Sequence, residues 1–168
     1  MSPIWLASLT NLKELYLDHA TKLMSLPPLG MISCLESLTI KFAERLKKVG
    51  VEFLGIESEN KKEDIKIFPN LKYLSFYYLW EWEEWIGGTR EDEDCITIMP
   101  RLQKLKICYC TKLKSWPDFL RTTPLKELEI KGCPIIMKRC RRETGEYWHN
   151  ISHIPIIKLA DDLEDMTR

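Results

Sequence analysis

Cysteine and histidine are the residues of this sequence with the greatest chemical potential, and their spacing argues against a metal site. The six cysteines lie at positions 34, 95, 108, 110, 133 and 140, with no Cys-x-x-Cys pair of the kind that holds zinc. His149 and His153 have the i, i+4 spacing of a zinc-binding helix. However, Asn150 follows His149 where such helices carry glutamate, and Pro155 would soon end the helix. We therefore expect a structural role for both histidines, and no bound metal or cofactor.

Length and charge argue against other classes of function. The chain has 168 residues, with 25 Lys and Arg against 25 Asp and Glu, so it lacks the basic excess of a general nucleic-acid binder. No apolar run approaches the roughly 20 residues of a membrane span. The first cation is Lys13, too late for the basic start of a secretory signal. We expect a cytoplasmic protein, with the nucleus as an alternative location, and reduced thiols.

One dense basic cluster interrupts this balance near the end of the chain. It is formed by Lys138, Arg139, Arg141 and Arg142. Such a cluster could meet a phosphate or an acidic partner surface. A solvated terminal face is the more usual meaning of such a run.

A repeated pattern organises the chain and must position these residues. Five units carry the motif apolar-x-x-apolar-x-apolar, and the first members of these units are spaced by 23, 36, 31 and 23 residues. The first and last spacings match a leucine-rich repeat. The triplets are Leu12, Leu15, Leu17; Leu35, Leu38, Ile40; Leu71, Leu74, Phe76; Leu102, Leu105, Ile107; and Leu125, Leu128, Ile130.

The pattern predicts an α/β leucine-rich-repeat solenoid. The last two apolar residues of each triplet alternate, as on one face of a short strand, and stacked units bury that face together. We expect a parallel sheet on the concave face and an irregular or short-helical convex face. Repeats would span residues 1–137, with solvated inserted loops near 54–67 and 87–98. A cap would follow at 138–157, and a disordered tail at 158–168.

Partner-binding residues are expected on the solvent-facing side of the strands, because repeat solenoids bind partners on the concave surface. Tyr73 and Tyr77 would lie at the middle of the sheet. Tyrosine offers a large contact area with few rotatable bonds, although these two could equally be ordinary solvent-facing aromatics. The predicted binding residues are Tyr16, Asp18, Thr39, Lys41, Tyr73, Ser75, Tyr77, Lys104, Lys106, Glu127 and Glu129.

Charged residues on two of these strands should face one another. Lys104 and Lys106 are predicted to lie beside Glu127 and Glu129. Each pair would contribute roughly 0.2–1 kcal/mol to stability. The pairs could therefore steady the sheet without binding a partner.

Residues 73–85 contain seven aromatics, and the repeat phase predicts which of them are buried. Phe76, Trp82 and Trp85 should point into the core, whereas Trp80 is out of phase and could be exposed. A core role is favoured over a carbohydrate or base-stacking platform, because no basic groove accompanies these rings.

Cys110 and Cys133 occupy equivalent positions of adjacent units and should be near neighbours. Buried thiols of this kind are poor redox switches. A cysteine hydrolase needs a base beside an exposed thiol, and only His19 approaches the sheet cysteines in repeat phase. We therefore expect no enzymatic activity.

Seven segments carry a resemblance to a known family: Leu-Pro-Pro-Leu-Gly at 26–30, Phe-Pro-Asn-Leu-Lys-Tyr-Leu at 68–74, Leu-Trp-Glu-Trp-Glu-Glu-Trp at 79–85, Cys-Tyr-Cys-Thr-Lys-Leu at 108–113, Gly-Cys-Pro at 132–134, Gly-Glu-Tyr-Trp at 145–148 and Ile-Ser-His-Ile-Pro at 151–155. They resemble the carboxyl-terminal repeats of plant intracellular disease-resistance proteins of the nucleotide-binding leucine-rich-repeat class, most closely the coiled-coil subclass. The similarity extends to about Ile157.

The resemblance implies a recognition module of plant innate immunity. Such a module senses pathogen effectors, directly or through a guarded host protein, and holds the receptor's nucleotide-binding domain inactive. Its partners would be that effector or guarded protein and that domain, in cis or in trans. The alternatives are a substrate adaptor for ubiquitin ligation and a non-functional receptor fragment.

The sequence departs from the family pattern at its start. No G-x-x-x-x-G-K-[ST] loop occurs, so a phosphate-binding cradle is not predicted. Residues 1–6 resemble the end of a preceding repeat rather than a polar cap. We expect a truncated start whose apolar edge favours self-association.

Overall fold

The computed structural model describes residues 4–56, 64–87 and 96–161, and within them short parallel strands dominate. No helix in these three ranges is long and apolar enough to cross a membrane. The strands are β1 Glu14–Asp18, β2 Ser37–Lys41, β3 Lys48–Val49, β4 Ile65–Ile67, β5 Tyr73–Tyr77, β6 Glu84–Trp85, β7 Ile96–Ile98, β8 Lys104–Cys108, β9 Glu127–Lys131 and β10 Ile156–Ala160.

Helices in the described ranges are no longer than six residues. The sequence explains two of their boundaries. Pro134 opens α3 because its fixed φ suits the first helical position, and Gly55 ends α2 in the left-handed conformation at φ 75°. The helices are α1 Ile4–Ala7, α2 Val51–Leu54, α3 Pro134–Arg139 and α4 Trp148–Ile151, with 3₁₀ turns at Leu29–Met31 and Asp118–Thr122.

Six strands form one parallel sheet in the order β1-β2-β5-β8-β9-β10. The register pairs the same position of each triplet: Leu15, Leu38, Leu74, Leu105, Leu128 and Ile157 follow one another across the sheet. The five predicted strands are therefore confirmed as neighbours in sequence order. The solvent-facing and core-facing residues alternate along each strand, because side chains in a strand point to opposite faces.

The core lies beneath one face of this sheet. Leu38, Leu74, Leu105 and Leu128 are each fully buried, and so is the neighbouring column of Ile40, Phe76, Ile107 and Ile130. Burial of each such side chain stabilises the fold by roughly 1.5–3 kcal/mol, because its apolar surface is removed from water. A single apolar cluster runs from Leu6 to Ile154, so the units share one core.

Two further parallel strand pairs form outside the six-stranded sheet: β3 with β6, and β4 with β7. Short helices and 3₁₀ turns also connect strands of the sheet, and the irregular or short-helical convex face stays a prediction. Strands β4 and β7 also fall within the segments assigned to inserted loops, 54–67 and 87–98, because Ile-Lys-Ile and Ile-Thr-Ile alternate and can pair. The charged parts of those loops, residues 57–63 and 88–95, lie outside the described residues.

The carboxyl-terminal segment requires a second correction. Strand β10 pairs in parallel with β9 and includes residues 158–160, which were assigned to a disordered tail. The reason is physical: Ile-Ile-Lys-Leu-Ala alternates, and it satisfies backbone groups that β9 would otherwise leave unpaired. Residues 162–168 lie outside the described residues.

Candidate protein-interaction face

The side of the six-stranded sheet that faces away from the core is here called the open face. It is formed by the first, third and fifth residues of each strand, which alternate with the core-facing positions; among them Cys108, the fifth residue of β8, is buried. All predicted binding residues, from Tyr16 on β1 to Glu129 on β9, lie on it. The structure therefore places them on one surface; their role in binding stays a prediction.

On β8, β9 and β10 the open face is a network of ion pairs. Lys104 Nζ lies 3.1 Å from Glu127 Oε1, and Lys158 Nζ lies 2.9 Å from the same oxygen on the other side. Lys106 Nζ lies 3.2 Å from Glu129 Oε2. The predicted pairing of Lys104 and Lys106 with the two glutamates is confirmed.

These ion pairs shift the protonation equilibria of their members. Hydrogen bonds from Lys158 and Lys104 lower the pKa of the Glu127 carboxyl. The Glu129 carboxylate raises the pKa of Lys106 through a hydrogen bond that outweighs desolvation. These side chains are half-buried at the sheet surface, and ion pairs that remain in contact with solvent are screened and contribute only modestly to stability.

On β1, β2 and β5 the open face carries aromatic rings and hydroxyl groups. Tyr73 is 47% exposed and Tyr16 is 64% exposed. Lys41 Nζ lies 4.9 Å from the centre of the Tyr77 ring, within range of a cation–π interaction. Thr39 and Ser75 are register partners between these rings. Large, exposed rings on a rigid strand are the side chains that most often anchor a protein partner.

A row of stacked rings runs along the carboxyl end of the strands, and sequence reasoning missed it. The ring of Phe42 stacks on His19 at 4.6 Å and on Tyr78 at 4.7 Å, and Tyr78 stacks on Tyr109 at 4.9 Å. The planes of Phe42, Tyr78 and Tyr109 are within about 4° of parallel. We call these four residues the exit row, because each directly follows a strand.

Backbone conformation explains why the exit row is aligned. His19, Phe42, Tyr78 and Tyr109 all have positive φ, between 53° and 58°, a region that bulky residues rarely adopt. Each backbone N–H donates to the last carbonyl of the next strand, as Phe42 N does to Tyr77 O at 3.1 Å. The signal in the sequence was the residue two positions after each triplet, which reads His, Phe, Tyr, Tyr and Gly. The fifth, Gly132, has φ 62°.

The tryptophan-rich segment lies largely beneath the sheet, as predicted. Phe76, Trp82 and Trp85 are buried, with ring centres 4.7 to 5.6 Å apart. Trp82 Nε1 donates to the Glu84 carbonyl at 2.8 Å. Trp80 is 40% exposed and lies 5.6 Å from the Tyr78 ring of the exit row. The buried rings are therefore core, and Trp80 alone of the four is available at the surface.

The cysteines of the sheet are packed as structural thiols. Cys110 N donates to Cys133 Sγ at 3.3 Å, so the predicted proximity of these residues is confirmed. Burial raises the pKa of Cys108 to about 11 and that of Cys140 to about 12. It also raises the pKa of Cys110 well above the ordinary value. Because the thiolate is the reactive form, these thiols are poor nucleophiles.

The two histidines with zinc-like spacing do not form a metal site in the structure. His153 Nε2 lies 3.2 Å from the Thr123 carbonyl oxygen, which ties the end of α4 to the preceding 3₁₀ turn. His149 is exposed. Within residues 4–56, 64–87 and 96–161, no group of three or more His, Cys, Asp or Glu side chains is arranged to hold a metal ion.

Comparison with known proteins supports the family resemblance. The chain is 35% identical over 136 residues, 79% of its length, to an Arabidopsis thaliana protein named as a disease resistance protein. It is 31% identical over 139 residues, 80% of its length, to the same plant's disease resistance RPP13-like protein 1. A shorter match, 47% identical over 48 residues or 28% of the chain, is to the disease resistance protein RGA4 of Solanum bulbocastanum.

The chain spans only a small part of these relatives: 9%, 12% and 5% of their respective lengths. No model of a protein family matches the chain, and no solved structure is significantly similar to it. The relatives are named for disease resistance and not for a catalytic activity. By these similarities, the chain is homologous to a region of plant disease resistance proteins of the nucleotide-binding leucine-rich-repeat type.

Proposed function

We propose that the chain is a protein-interaction module of a plant immune receptor, built as a leucine-rich-repeat solenoid. The observation that supports this most directly is the sheet itself: six parallel strands in register, one face buried and the other open. Units of this kind cover each other's apolar face and leave the opposite face for partners. The homology to disease resistance proteins supplies the biological setting.

Recognition is assigned to the part of the open face on β1, β2 and β5, which we call the tyrosine half. Tyr16, Tyr73 and Tyr77 provide apolar area on rigid strands, with hydroxyl groups from Thr39 and Ser75 between them. In contrast, the lysines and glutamates of β8 and β9 already pair with each other. A partner that bound there would have to desolvate existing ion pairs, which costs free energy.

The partner is a pathogen effector or a guarded host protein, and the same region restrains a nucleotide-binding domain in cis or in trans. Such a module acts in the cytoplasm, with the nucleus as the alternative compartment. It binds neither nucleic acid nor cofactor, and it performs no catalysis.

The test is a chimeric receptor. The matched segment of the Arabidopsis RPP13-like relative is replaced by this chain, and the chimera is expressed in leaf tissue beside the same receptor with that segment deleted. We expect the deletion to cause spontaneous cell death and the chimera to remain silent, because the grafted chain restores restraint. Spontaneous cell death of a stably expressed chimera, or silence of the deletion, would contradict the proposal.

A chimera with Tyr73→Ala and Tyr77→Ala then tests whether these tyrosines of the open face are needed for recognition and restraint. The matched control is Lys106→Ala/Glu129→Ala, which changes two side chains on the same face and removes no net charge. We expect the tyrosine variant to lose restraint or triggered cell death, and the control to retain both. Protein levels and far-ultraviolet circular dichroism check that both variants fold.

A further inference from the structure

A furrow near the carboxyl-terminal end of the chain lies outside the open face. It consists of two hollows, of about 530 and 540 Å³, that share Arg139 in their walls. The first hollow lies beside β6 and includes Ile86, Trp116 and Pro117. The second lies beside α3 and includes Pro134 and Ile135. Each hollow therefore offers an apolar surface, with a cation between the two.

Arg139 is held in place where the hollows meet. Its guanidinium donates a hydrogen bond to the Lys114 carbonyl, and its Nε lies 3.7 Å from Glu146 Oε2. The turn that carries Glu146 approaches closely because of Gly145: a Cβ there would lie 2.3 Å from the Arg139 carbonyl oxygen. The furrow is thus a preformed feature of the fold.

Positive charge concentrates at the α3 end of the furrow. Lys138 and Arg141 are exposed, and among the residues that the structure describes no carboxylate forms an ion pair with either of them. Of the acids that line the hollows, Glu84 pairs with Lys48, and Glu146 is the carboxylate beside Arg139. Asp118 is exposed at the far end. Lys138 lines the second hollow together with Ile135, which is 40% exposed, and the Arg141 backbone approaches Gly145 of the same hollow.

We infer that this furrow is a docking site for an extended acidic segment of a partner protein. Carboxylates of the segment pair with Lys138 and Arg141, and apolar side chains on either side of them occupy the two hollows. A nucleic acid fits less well, because Trp116 is 5% exposed and offers no ring for base stacking. The site is distinct from the tyrosine surface and gives the basic cluster of the sequence a function.

The experiment uses the chain itself and a fluorescein-labelled peptide of the sequence Leu-Glu-Glu-Asp-Glu-Leu. Fluorescence anisotropy should show binding that weakens as salt is raised, because exposed charge pairs are screened. A peptide with glutamine and asparagine in place of the acids should not bind. Lys138→Ala/Arg141→Ala should raise the Kd about fivefold to tenfold, as expected for two exposed charge pairs. Ile135→Ser should raise it by about twofold to fivefold through lost apolar contact.

Lys22→Ala/Arg45→Ala is the matched control, since it removes the same charge from exposed residues of the first two units. We expect its Kd to equal that of the unchanged chain. An equal loss in both double variants, or no loss in either, would overturn the assignment. So would tight binding of inorganic phosphate or phosphoinositide vesicles through Lys138 and Arg141 without peptide binding. Circular dichroism of each variant checks that it folds.

Discussion

On β8, β9 and β10 the open face carries lysines opposite glutamates, whereas on β1, β2 and β5, the tyrosine half, it carries tyrosines and hydroxyl groups with three charged residues at the strand ends. Both halves belong to the same sheet and stand on the same buried column. In the charged half, Glu127 accepts from lysines on both neighbouring strands. In the tyrosine half, Tyr73 and Tyr16 project into solvent. The two halves share the same backbone arrangement and differ in how many of their side chains already pair with one another.

This difference separates a stabilising surface from a binding surface. The repeat pattern ranks Lys104 and Tyr73 as equivalent, because both occupy the first position of a strand and are register partners. The structure confirms the predicted partner of Lys104, Glu127, whereas Tyr73 is left exposed. Binding energy in protein interfaces concentrates in a few aromatic and other anchor residues, so the tyrosine half is the better candidate.

A substitution in the buried column beneath the sheet should lower the free energy of unfolding most. It should destabilise both halves of the open face, because both stand on that column. Phe76 is fully buried and contacts Trp82 and Trp85. Phe76→Ala should lower the free energy of unfolding by about 3–5 kcal/mol, from lost burial and the cavity left behind. Urea unfolding followed by circular dichroism measures this. Tyr73→Ala, an exposed site on the same strand, is the control, and an equal loss there would refute a common core.

A substitution in the exit row should cause an intermediate loss of stability, because the stacked rings connect the two halves of the open face. Tyr78 stacks between Phe42 and Tyr109, and Tyr78→Ala should cost about 1–3 kcal/mol of stability. Tyr78→Gly removes the same ring but relieves the positive φ of 57°. It should therefore be more stable than the alanine variant by about 1 kcal/mol. A glycine variant less stable than the alanine variant would contradict this account of the strand exits.

A substitution in the charged half should cause the smallest loss of stability, and this loss should depend on pH. Lys158 and Lys104 lower the pKa of Glu127 below its ordinary value of 4.5, so the carboxylate is favoured more in the folded than in the unfolded chain. Its contribution is present above about pH 4.5 and is lost as the pH falls through the lower folded pKa. Glu127→Gln should flatten this part of the pH dependence of the urea midpoint. Glu14→Gln, at the same strand position on β1, is the charge-matched control.

The main sheet could be predicted because its signal is repeated. Leu15, Leu38, Leu74, Leu105 and Leu128 keep phase, and a one-residue slip of any strand would expose its apolar face. Strand β10 was missed although Ile154, Ile157 and Leu159 repeat the spacing of the motif, because Pro155 interrupts the run and an irregular cap precedes it. Strands β4 and β7 were missed because three-residue runs inside charged insertions resemble loops.

The positions of the site residues and the lysine–glutamate pairs of β8 and β9 were predicted, but the contacts of the tyrosines were not. Alternation alone places Tyr77 and Lys106 on the open face. It cannot show that Lys41 covers the Tyr77 ring, since that depends on rotamers. The exit row was missed for a different reason: His, Phe and Tyr share a ring but no single residue type, and positive φ is not expected of them. A search for aromatic rings at a fixed distance after each triplet would have found it.

Site-specific photocrosslinking tests most directly whether the partner binds to the tyrosine half. The photoreactive amino acid p-benzoylphenylalanine is placed at Tyr73 or Tyr77, and in parallel at Lys106 or Glu129, in the receptor chimera expressed in plant cells. We predict a discrete crosslinked protein from the two tyrosine positions, lost in competition with unlabelled chain, and none from the two charged positions. The same adduct from Lys106 or Glu129, or no adduct from Tyr73 and Tyr77, would contradict it.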